Sequence, residues 1–169
     1  RVLHNISFVE DPTRAFRAVR FSERFGFKIS KHTENLIKSA IEMNLFDRLS
    51  GPRLYEELLL SFNETEPVRT LKKLSDFGLL KVIHQNLIFN EELEAIFKSM
   101  HDTLTWFNLL FLEEKTDRGI LYLMALLSGL KDEDVKAVIE RLSPPPRARD
   151  MIIKGMSHAR DILRRLSPG

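Results

Sequence analysis

Apolar residues recur at spacings of three and four along most of this chain, as they do on one face of an α-helix. One such stripe runs through residues 33–44 behind Thr33, a candidate N-cap, and another runs through 66–78 and stops at Gly78, where a left-handed C-cap costs little. The most strand-like run, LLKVIHQNLIF at 79–89, is interpreted as a short helix and a loop. The pattern therefore predicts an all-α fold, built as a stack of short helices.

Proline and glycine mark where further helices start and stop. Ser50 precedes a helix that carries Pro52 in its first turn. Three consecutive prolines in SPPPRA, at 143–148, end one helix and allow the next to begin at Pro146. The same reasoning predicts helices over 91–112, 116–130, 132–142 and 146–166, the last of them broken near Gly155.

Composition narrows the class of protein. With 169 residues, 43% of them hydrophobic, the chain is long enough to bury a core as one domain or two small ones. The absence of cysteine excludes disulfides and thiolate metal sites and agrees with a reducing cytoplasm. No apolar run approaches the roughly 18 residues of a membrane span, and the first residues lack the layout of a signal peptide. We expect a cytoplasmic protein that does not bind membranes.

Charge is distributed unevenly although the net charge is only +2. Residues 1–31 carry +4, residues 32–140 carry −7 and residues 141–169 carry +5. Two interpretations remain open. The solvated faces of short helices can differ in charge by chance, or the two basic ends form surfaces that contact a polyanion.

The stretch EDPTR, residues 10–14, places acids and an arginine at a predicted helix start. Pro12 suits the first turn, Asp11 suits the N-cap or first turn, and Arg14 follows Asp11 at i+3 and Glu10 at i+4. A capped helix with a local ion pair, worth about 0.3–0.5 kcal/mol, is the ordinary explanation. The alternative is a template for a nucleobase, because a carboxylate beside a guanidinium offers an acceptor next to a donor.

That order of donor and acceptor discriminates between bases. Cytosine and adenine each present an amino donor beside a ring nitrogen acceptor, which matches the pair formed by Asp11 and Arg14. Uracil and guanine present the opposite order and would leave buried groups unpaired. The pair is thus predicted to accept C and A and to reject U and G.

An arginine stripe follows the same helix. On a helical wheel, four arginines fall within about 120°: Arg14, Arg17, Arg20 and Arg24. The adjoining apolar face consists of Ala18, Phe21 and Phe25. We predict that Arg14 and Arg17 contact a triphosphate or an RNA backbone and that Arg20 and Arg24 are structural.

Three motifs carry a resemblance to a known family. The run RVLHNISFVEDPTRAFRAVRFSERFGFKIS, then LSGPRLYEELLLSF, then LKKLSDFGLLKVI together resemble the bacterial tRNA nucleotidyltransferases of the CCA-adding (class II) and poly(A) polymerase family. The resemblance covers about the first 90 residues. It places Glu10, Asp11 and Arg14 on the family's EDxxR motif, which reads the base of the incoming ATP or CTP, and Arg17 on the motif that follows.

The resemblance also implies a layout. Residues 1–28 would form the end of a catalytic head and the start of a neck, 29–90 the RNA-binding neck and body, and 91–169 a helical body and tail. Arg53 falls on the family's sgeRixxEL element and is expected to bind RNA. A basic C-terminal set would suit the acceptor and TΨC arms of tRNA, on charge and analogy alone: Arg147, Arg149, Lys154, Arg160, Arg164 and Arg165.

The catalytic part of the family is not matched. Family catalysis needs carboxylates that hold two Mg²⁺ ions, in a DxD motif after a glycine-rich turn and with an RRD motif further on. The only literal DxD, Asp132 to Asp134, lacks that turn and is interpreted as first-turn helix acids. We therefore expect no metal site and no catalytic residue in this chain. The chain is expected to be a C-terminal fragment that is inactive by itself.

Weaker candidates point to ordinary structure. His101-Asp102 resembles the doublet of HD phosphohydrolases, but further ligands at a suitable spacing are missing, so His101 is interpreted as an ordinary helix residue. Four aromatic residues at helical spacings are predicted to be core: Phe97, Trp106, Phe107 and Phe111.

Two functions remain open at this point. The first is the base-reading and RNA-binding part of a template-independent nucleotidyltransferase that acts on tRNA or another RNA 3′ end. The second is a non-catalytic helical module that binds RNA or protein. The motifs do not distinguish addition of CC, A or CCA from polyadenylation, and they do not indicate an oligomeric state.

Overall fold

The computed structural model describes the backbone of residues 7–109 and 117–166, and that part of the chain contains helices and no strand. The predicted all-α fold is confirmed. In chain order the helices are α1 Ser7–Glu10, α2 Thr13–Phe25, α3 Lys31–Glu42, a 3-10 segment Leu45–Arg48, α4 Gly51–Phe62, α5 Pro67–Asp76, α6 Glu91–Leu109, α7 Arg118–Leu127, α8 Asp132–Leu142 and α9 Pro146–Leu166.

Several predicted boundaries are confirmed and one cap is wrong. Ser50 flanks α4, and Gly78 adopts the left-handed conformation with a φ of 76°. The cap of α3 is Ser30 and not Thr33, because the Ser30 hydroxyl accepts the backbone N–H of Thr33 at 3.2 Å. The sequence predicts the cap at the first suitable residue before the apolar stripe. In the structure the cap lies three residues earlier, at Ser30, and α3 begins at Lys31.

The run at 79–89 is neither a helix nor a strand. Lys81 donates its backbone N–H to Gly78 and Ile83 donates its own to Leu80, so the first part consists of hydrogen-bonded turns. A further turn at 85–86 and an irregular segment at 87–90 follow and lead into α6. The prediction of a loop is confirmed, and the prediction of a short helix in this run is wrong.

Gly155 does not break α9, which continues without interruption from Pro146 to Leu166. A Cβ at this position would lie 2.6 Å from Cε of Met124 in α7. The glycine therefore serves close packing of α9 against α7. Gly51 has the same use at the start of α4, where a Cβ would lie 2.5 Å from the carbonyl oxygen of Arg141 in α8.

The centre of the core is aromatic. Phe62 of α4 stacks on Tyr122 of α7 with ring centroids 5.8 Å apart, and Phe97 of α6 lies 5.3 Å from the same tyrosine. Phe97 is therefore core, as predicted, whereas Trp106 is 60% exposed and the prediction for it is wrong. Phe107 is half-buried, and Phe111 lies outside the described residues.

Helix α2 packs against both α4 and α5, and this packing positions the candidate site. Its buried face includes Ala15, Phe16 and Val19, each fully buried. The face that carries Phe21 and Phe25 lies on the surface instead, and Phe25 is 58% exposed. None of the described helices combines the length and apolar content that crossing a bilayer requires.

Candidate functional site

The junction between α1 and α2 is organised by Asp11. One carboxylate oxygen, Oδ1, accepts the backbone N–H of Thr13 at 3.2 Å and its hydroxyl at 2.6 Å. Thr13 is buried, with 3% of its surface exposed. Asp11 therefore satisfies a donor of the first turn of α2. It does so from one position before Pro12, which is the N-cap, so the predicted position of Asp11 at the N-cap or in the first turn is wrong by one residue.

Arg53 holds the same oxygen from α4. Its Nη2 lies 3.0 Å from Oδ1 of Asp11, although the two residues are 42 positions apart in the chain. Sequence reasoning placed Arg53 on an RNA surface and missed this contact. The Arg53 side chain is 52% exposed, so the guanidinium both fixes Asp11 and faces solvent.

The other carboxylate oxygen of Asp11 has no hydrogen-bond donor among the residues that the structure describes. Three donors, two from Thr13 and one from Arg53, converge on Oδ1. Arg14 is near Asp11, since its charge acts on that carboxylate, and it lies 4.0 Å from Glu10 with about half its side chain exposed. The structure thus brings Glu10, Asp11 and Arg14 together, with an anchored carboxylate and a guanidinium that face solvent.

Asp11 is held in its charged form. Partial burial raises the pKa of its carboxyl, but the hydrogen bonds from Thr13 and the positive charges of Arg53 and Arg14 outweigh burial, so the pKa lies below its ordinary value of 3.8. A carboxylate with a depressed pKa contributes stability above its unfolded pKa, and that stability is lost as pH falls through the folded value.

Thr13→Val is expected to raise the pKa of Asp11 toward 3.8 and to move the acid unfolding midpoint to higher pH, because the variant loses the hydroxyl donor and keeps the shape. Carboxyl chemical shifts followed by NMR against pH measure the first effect. Thr103→Val is the matched control, since the exposed Thr103 hydroxyl bonds only the Ser99 carbonyl of its own helix. An unchanged Asp11 titration in Thr13→Val would contradict the anchoring role.

Arg20 and Arg24 belong to a buried network, which confirms the predicted structural role for both. Arg20 is 6% exposed and lies 3.6 Å from Glu57 and 3.7 Å from Glu64. Arg24 donates two hydrogen bonds of 2.8 Å to the two oxygens of Glu64. Glu64 was missed in the sequence, because it lies between α4 and α5 and follows no helical spacing.

Glu57 couples this network to the candidate site. Burial raises the pKa of its carboxyl, the nearby charges of Arg20 and Arg17 oppose that shift, and the charge of Asp11 adds to it. Arg17 itself is exposed, and its guanidinium lies 5.9 Å from the ring of Phe21. The charges of Asp11, Arg17 and the buried network therefore act on one another through Glu57, and Arg14 and Arg17 are exposed.

The basic residues of α9 do not form one surface. Arg147, Lys154 and Arg165 are exposed and fall within about 20° on a helical wheel, on the side opposite the buried Ile152 and Met156. We call these three residues the α9 stripe.

The other basic residues that were predicted to bind tRNA either lie on another side of α9 or have side chains outside the described residues. Arg149 and Arg160 line a groove between α8 and α9, and Arg160 pairs with Asp132. The side chain of Arg164 lies outside the described residues.

The two aspartates of the DxD run contact α9 and the non-helical segment before α6. Asp132 pairs with Arg160 of α9, and Asp134 accepts a hydrogen bond of 2.9 Å from Asn86 while lying 3.6 Å from His84. These contacts agree with a structural role for both.

His101 is also engaged within the fold. Its Nδ1 lies 3.1 Å from Nη2 of Arg118 and 3.1 Å from the Tyr122 hydroxyl. Since a guanidinium only donates, Nδ1 is the acceptor and its lone pair is used. Within residues 7–109 and 117–166 no group of three or more metal-binding side chains comes together.

Comparison with known proteins gives three concordant results. A family model described as "Probable RNA and SrmB- binding site of polymerase A" matches residues 26–90. The A-adding tRNA nucleotidyltransferase of Geobacter sulfurreducens is 45% identical over 163 residues, which cover 96% of this chain and 18% of that protein. The A-adding tRNA nucleotidyltransferase of Aquifex aeolicus is 35% identical over 150 residues, which cover 89% of this chain and 18% of that protein.

Solved structures agree in fold. A CCA-adding enzyme in complex with CTP superposes with a TM-score of 0.80 at 32% identity, over 99% of this chain and 40% of that one. The Thermotoga maritima CCA-adding enzyme complexed with tRNA gives a TM-score of 0.78 at 31% identity, over 97% of this chain and 40% of that one. The chain belongs to the tRNA nucleotidyltransferase and poly(A) polymerase family.

The motifs of this nucleotidyltransferase-family chain now have positions in the fold. EDxxR stands at the junction of α1 and α2, and the element that carries Arg53 is the first turn of α4. The region that the family model matches runs from the turn after α2 to the start of α6. The chain spans less than a fifth of the length of the curated nucleotidyltransferases.

Proposed function

We propose that this chain provides base selection and RNA binding to an enzyme that adds CMP or AMP to the 3′ end of tRNA or another RNA. The observation that carries this proposal is that the two carboxylate oxygens of Asp11 have different surroundings. One oxygen takes all three anchoring donors, the other has no donor among the described residues, and the charge of Arg14 acts on the same carboxylate.

The anchored pair can read the Watson–Crick edge of a base. The available carboxylate oxygen of Asp11 accepts the amino group of cytosine or adenine, and Arg14 donates to the adjacent ring nitrogen. Uracil and guanine place an acceptor against the carboxylate and a donor against the guanidinium, which leaves groups unpaired on both sides. Thr13 and Arg53 limit movement of the carboxylate, so the discrimination does not depend on a mobile side chain.

RNA binding is assigned to the basic surfaces. Arg17 stands next to the base-reading pair and is placed for phosphate contacts, and Arg53 has an exposed side beside Asp11. The α9 stripe offers three further cations on one exposed face, suited to the helical arms of tRNA. Residues 1–28 would thus select the nucleotide, 29–90 would support that site and bind RNA near it, and 91–169 would bind the body of the RNA.

The chemical step belongs elsewhere in such an enzyme. The resemblance to the family implies that carboxylates of DxD and RRD motifs hold two Mg²⁺ ions. In this chain, the aspartates of the DxD run contact Arg160, Asn86 and His84 instead. Mg²⁺, when bound by a catalytic part, orients the triphosphate and stabilises its charge. We propose that this chain alone transfers no nucleotide and that the enzyme works in the cytoplasm.

Binding of tRNA to the 169-residue chain tests the RNA-binding part of this proposal. We expect micromolar or weaker affinity that falls steeply as salt rises, because the contacts are to phosphates. Replacing all three residues of the α9 stripe by Ala should reduce the slope of log affinity against log salt by up to about 3, one unit for each lost phosphate contact. Fluorescence anisotropy with labelled tRNA at several salt concentrations measures both.

The control replaces two exposed lysines that pair with the same acid and do not line the groove at the end of α2. Lys72→Ala and Lys98→Ala together remove the cations that flank Glu94, and the salt slope should stay close to that of the unchanged chain. Affinity that is insensitive to salt would contradict the proposal for the whole chain. An unchanged slope in the stripe variant would remove α9 from the RNA surface.

A further inference from the structure

Two exposed phenylalanines and a half-buried one form a ridge at the end of α2. Phe25 and Phe27 are 58% and 66% exposed, and their ring centroids lie 5.7 Å apart. Phe21 continues the row, with its centroid 6.1 Å from that of Phe25. We call these three side chains the phenylalanine ridge. Large apolar side chains that stay together in water cost hydrophobic stabilisation, so a contiguous group of them indicates a binding surface.

The backbone turn after α2 builds the ridge. Gly26 adopts the left-handed conformation with a φ of 66°, and the N–H of Phe27 bonds back to the carbonyl of Ser22 at 2.9 Å. This closure brings Phe27 beside Phe25 instead of carrying it away from the helix. The planes of neighbouring rings along the ridge are tilted by 39° and 33°, so the rings present their faces and edges as an uneven row.

The surroundings of the ridge are basic. A groove of about 660 Å³ separates the end of α2 from the start of α3, and Phe21 and Phe27 line it together with Lys28 and His32. No carboxylate lines this groove in the described part of the chain.

On the other side of the ridge, the guanidinium of Arg17 lies 5.9 Å from the ring of Phe21. The guanidiniums of Arg20 and Arg24, which both pair with Glu64, lie 5.0 and 5.8 Å from the same ring. Aromatic rings bordered by cations match a ligand that has flat rings and negative charge.

The ridge lies on the same face of α2 as the base-reading pair. Arg14, Phe21 and Phe25 fall within about 40° on a helical wheel, and Arg17 is next to them. At 1.5 Å per residue, Arg14 and Phe25 are about 16 Å apart along the axis, a distance that about five stacked nucleotides span. One exposed face of a single helix thus connects the nucleotide site with the ridge.

We propose that the phenylalanine ridge stacks an unpaired nucleobase of the RNA substrate, about five nucleotides' length from the base-reading pair, while Lys28 and Arg17 contact the flanking phosphates. This proposal rests on the proposed function, since it adds a contact point to the RNA that the chain binds. Docking of a protein on the ridge is the competing outcome, which the flanking cations and the groove without carboxylates disfavour.

Tryptophan fluorescence tests stacking directly. The chain contains one tryptophan, Trp106, which is 60% exposed on α6 and far from α2 in the sequence. The reporter is Phe27→Trp in a Trp106→Phe background, and the unchanged chain with Trp106 is the matched control. Titration with a single-stranded oligonucleotide of C and A should quench the reporter in a saturable manner and leave Trp106 emission unchanged, because a base that stacks at the ridge contacts the indole at position 27 and not the one at position 106.

Two results would overturn stacking. RNA binding seen by anisotropy without quenching of the reporter would exclude the ridge as an RNA contact and leave it as a protein-docking surface. Equal quenching of the reporter and of Trp106 would show non-specific collision.

Affinity provides an independent test that also separates the two proposals. Phe25→Ala with Phe27→Ala should weaken single-stranded RNA binding by about tenfold or more, given the usual contribution of one stacked base, while circular dichroism stays unchanged. Affinity equal to that of the unchanged chain would overturn the ridge proposal and leave the proposed function standing. No RNA binding by the unchanged chain at low salt would overturn both.

Discussion

Replacing Glu64 by Ala is expected to lower the free energy of unfolding by about 3–5 kcal/mol, because it leaves the buried Arg20 without one of its two acids. Glu64 is only 4% exposed, and it also receives both hydrogen bonds from Arg24. In a chain of this size such a loss lowers the melting temperature by roughly 6–20 °C. Urea unfolding measures the free energy, and a thermal scan measures the temperature.

A second variant and a control make this prediction specific. Glu64→Gln keeps the volume and removes the charge, so it should also destabilise the chain, by less than Glu64→Ala. Glu34→Ala removes an acid that likewise stands between two cations, Lys31 and Lys38, but at the surface, and it should leave stability unchanged within error. Equal effects of Glu64→Ala and Glu34→Ala would contradict a structural role for the buried network.

Asp11→Ala is expected to abolish base selection while leaving nucleotide addition possible. The test enzyme is a chimera in which this chain replaces the matching 163 residues of the Geobacter relative. Discrimination of ATP over UTP and GTP, as a ratio of kcat/KM, should fall by a factor that corresponds to about 1–3 kcal/mol, because the acceptor for the amino group is lost. Arg14→Lys should be nearly as harmful, since an ammonium cannot present the planar donor geometry of a guanidinium.

Stability provides the control for this prediction. If Asp11 and Arg14 only cap α2, both variants should melt earlier and keep the preference for ATP, since loss of a cap costs about 0.5–2 kcal/mol of stability and nothing in selectivity. Thr13→Val weakens the anchor of Asp11 without touching its available oxygen, so it should reduce selectivity less than Asp11→Ala. Melting temperatures measured on the same samples separate the two explanations.

The elements that sequence reasoning predicted well are those governed by local rules. Helix α8 begins at Asp132 and ends at Leu142 as predicted, because acids favour the first turn and the following prolines cannot extend a helix. Gly78 ends its segment in the left-handed conformation for the same local reason. Gly155 was predicted wrongly, since its use is close contact with Met124 of another helix, which no local rule contains.

In the candidate site, too, the contacts between residues close in sequence were predictable and the contact between distant residues was not. Glu10, Asp11 and Arg14 stand within five positions, so their proximity follows from the sequence, although the junction of α1 and α2, and not one continuous helix, brings them together. The anchor of Asp11 by Arg53 comes from an element 42 positions away, and only the folded chain brings it there.

The sequence also did not predict which individual side chains are buried. Phe16 and Phe25 lie on one helix and have the same chemistry, yet one is fully buried and the other is 58% exposed. Which face of α2 meets α4 and α5 is decided by tertiary packing, and the exposed face is the one that carries the phenylalanine ridge.

The central claim is that the available oxygen of Asp11 accepts the amino group of the incoming base. The most direct measurement compares ATP with purine riboside triphosphate, which lacks that amino group, in the chimera with and without Asp11→Ala. With Asp11 present, kcat/KM should favour ATP by about tenfold or more, as one hydrogen bond to a charged acceptor implies. With Ala in its place, the two nucleotides should react at nearly the same rate. The same preference for ATP in both enzymes would contradict the claim.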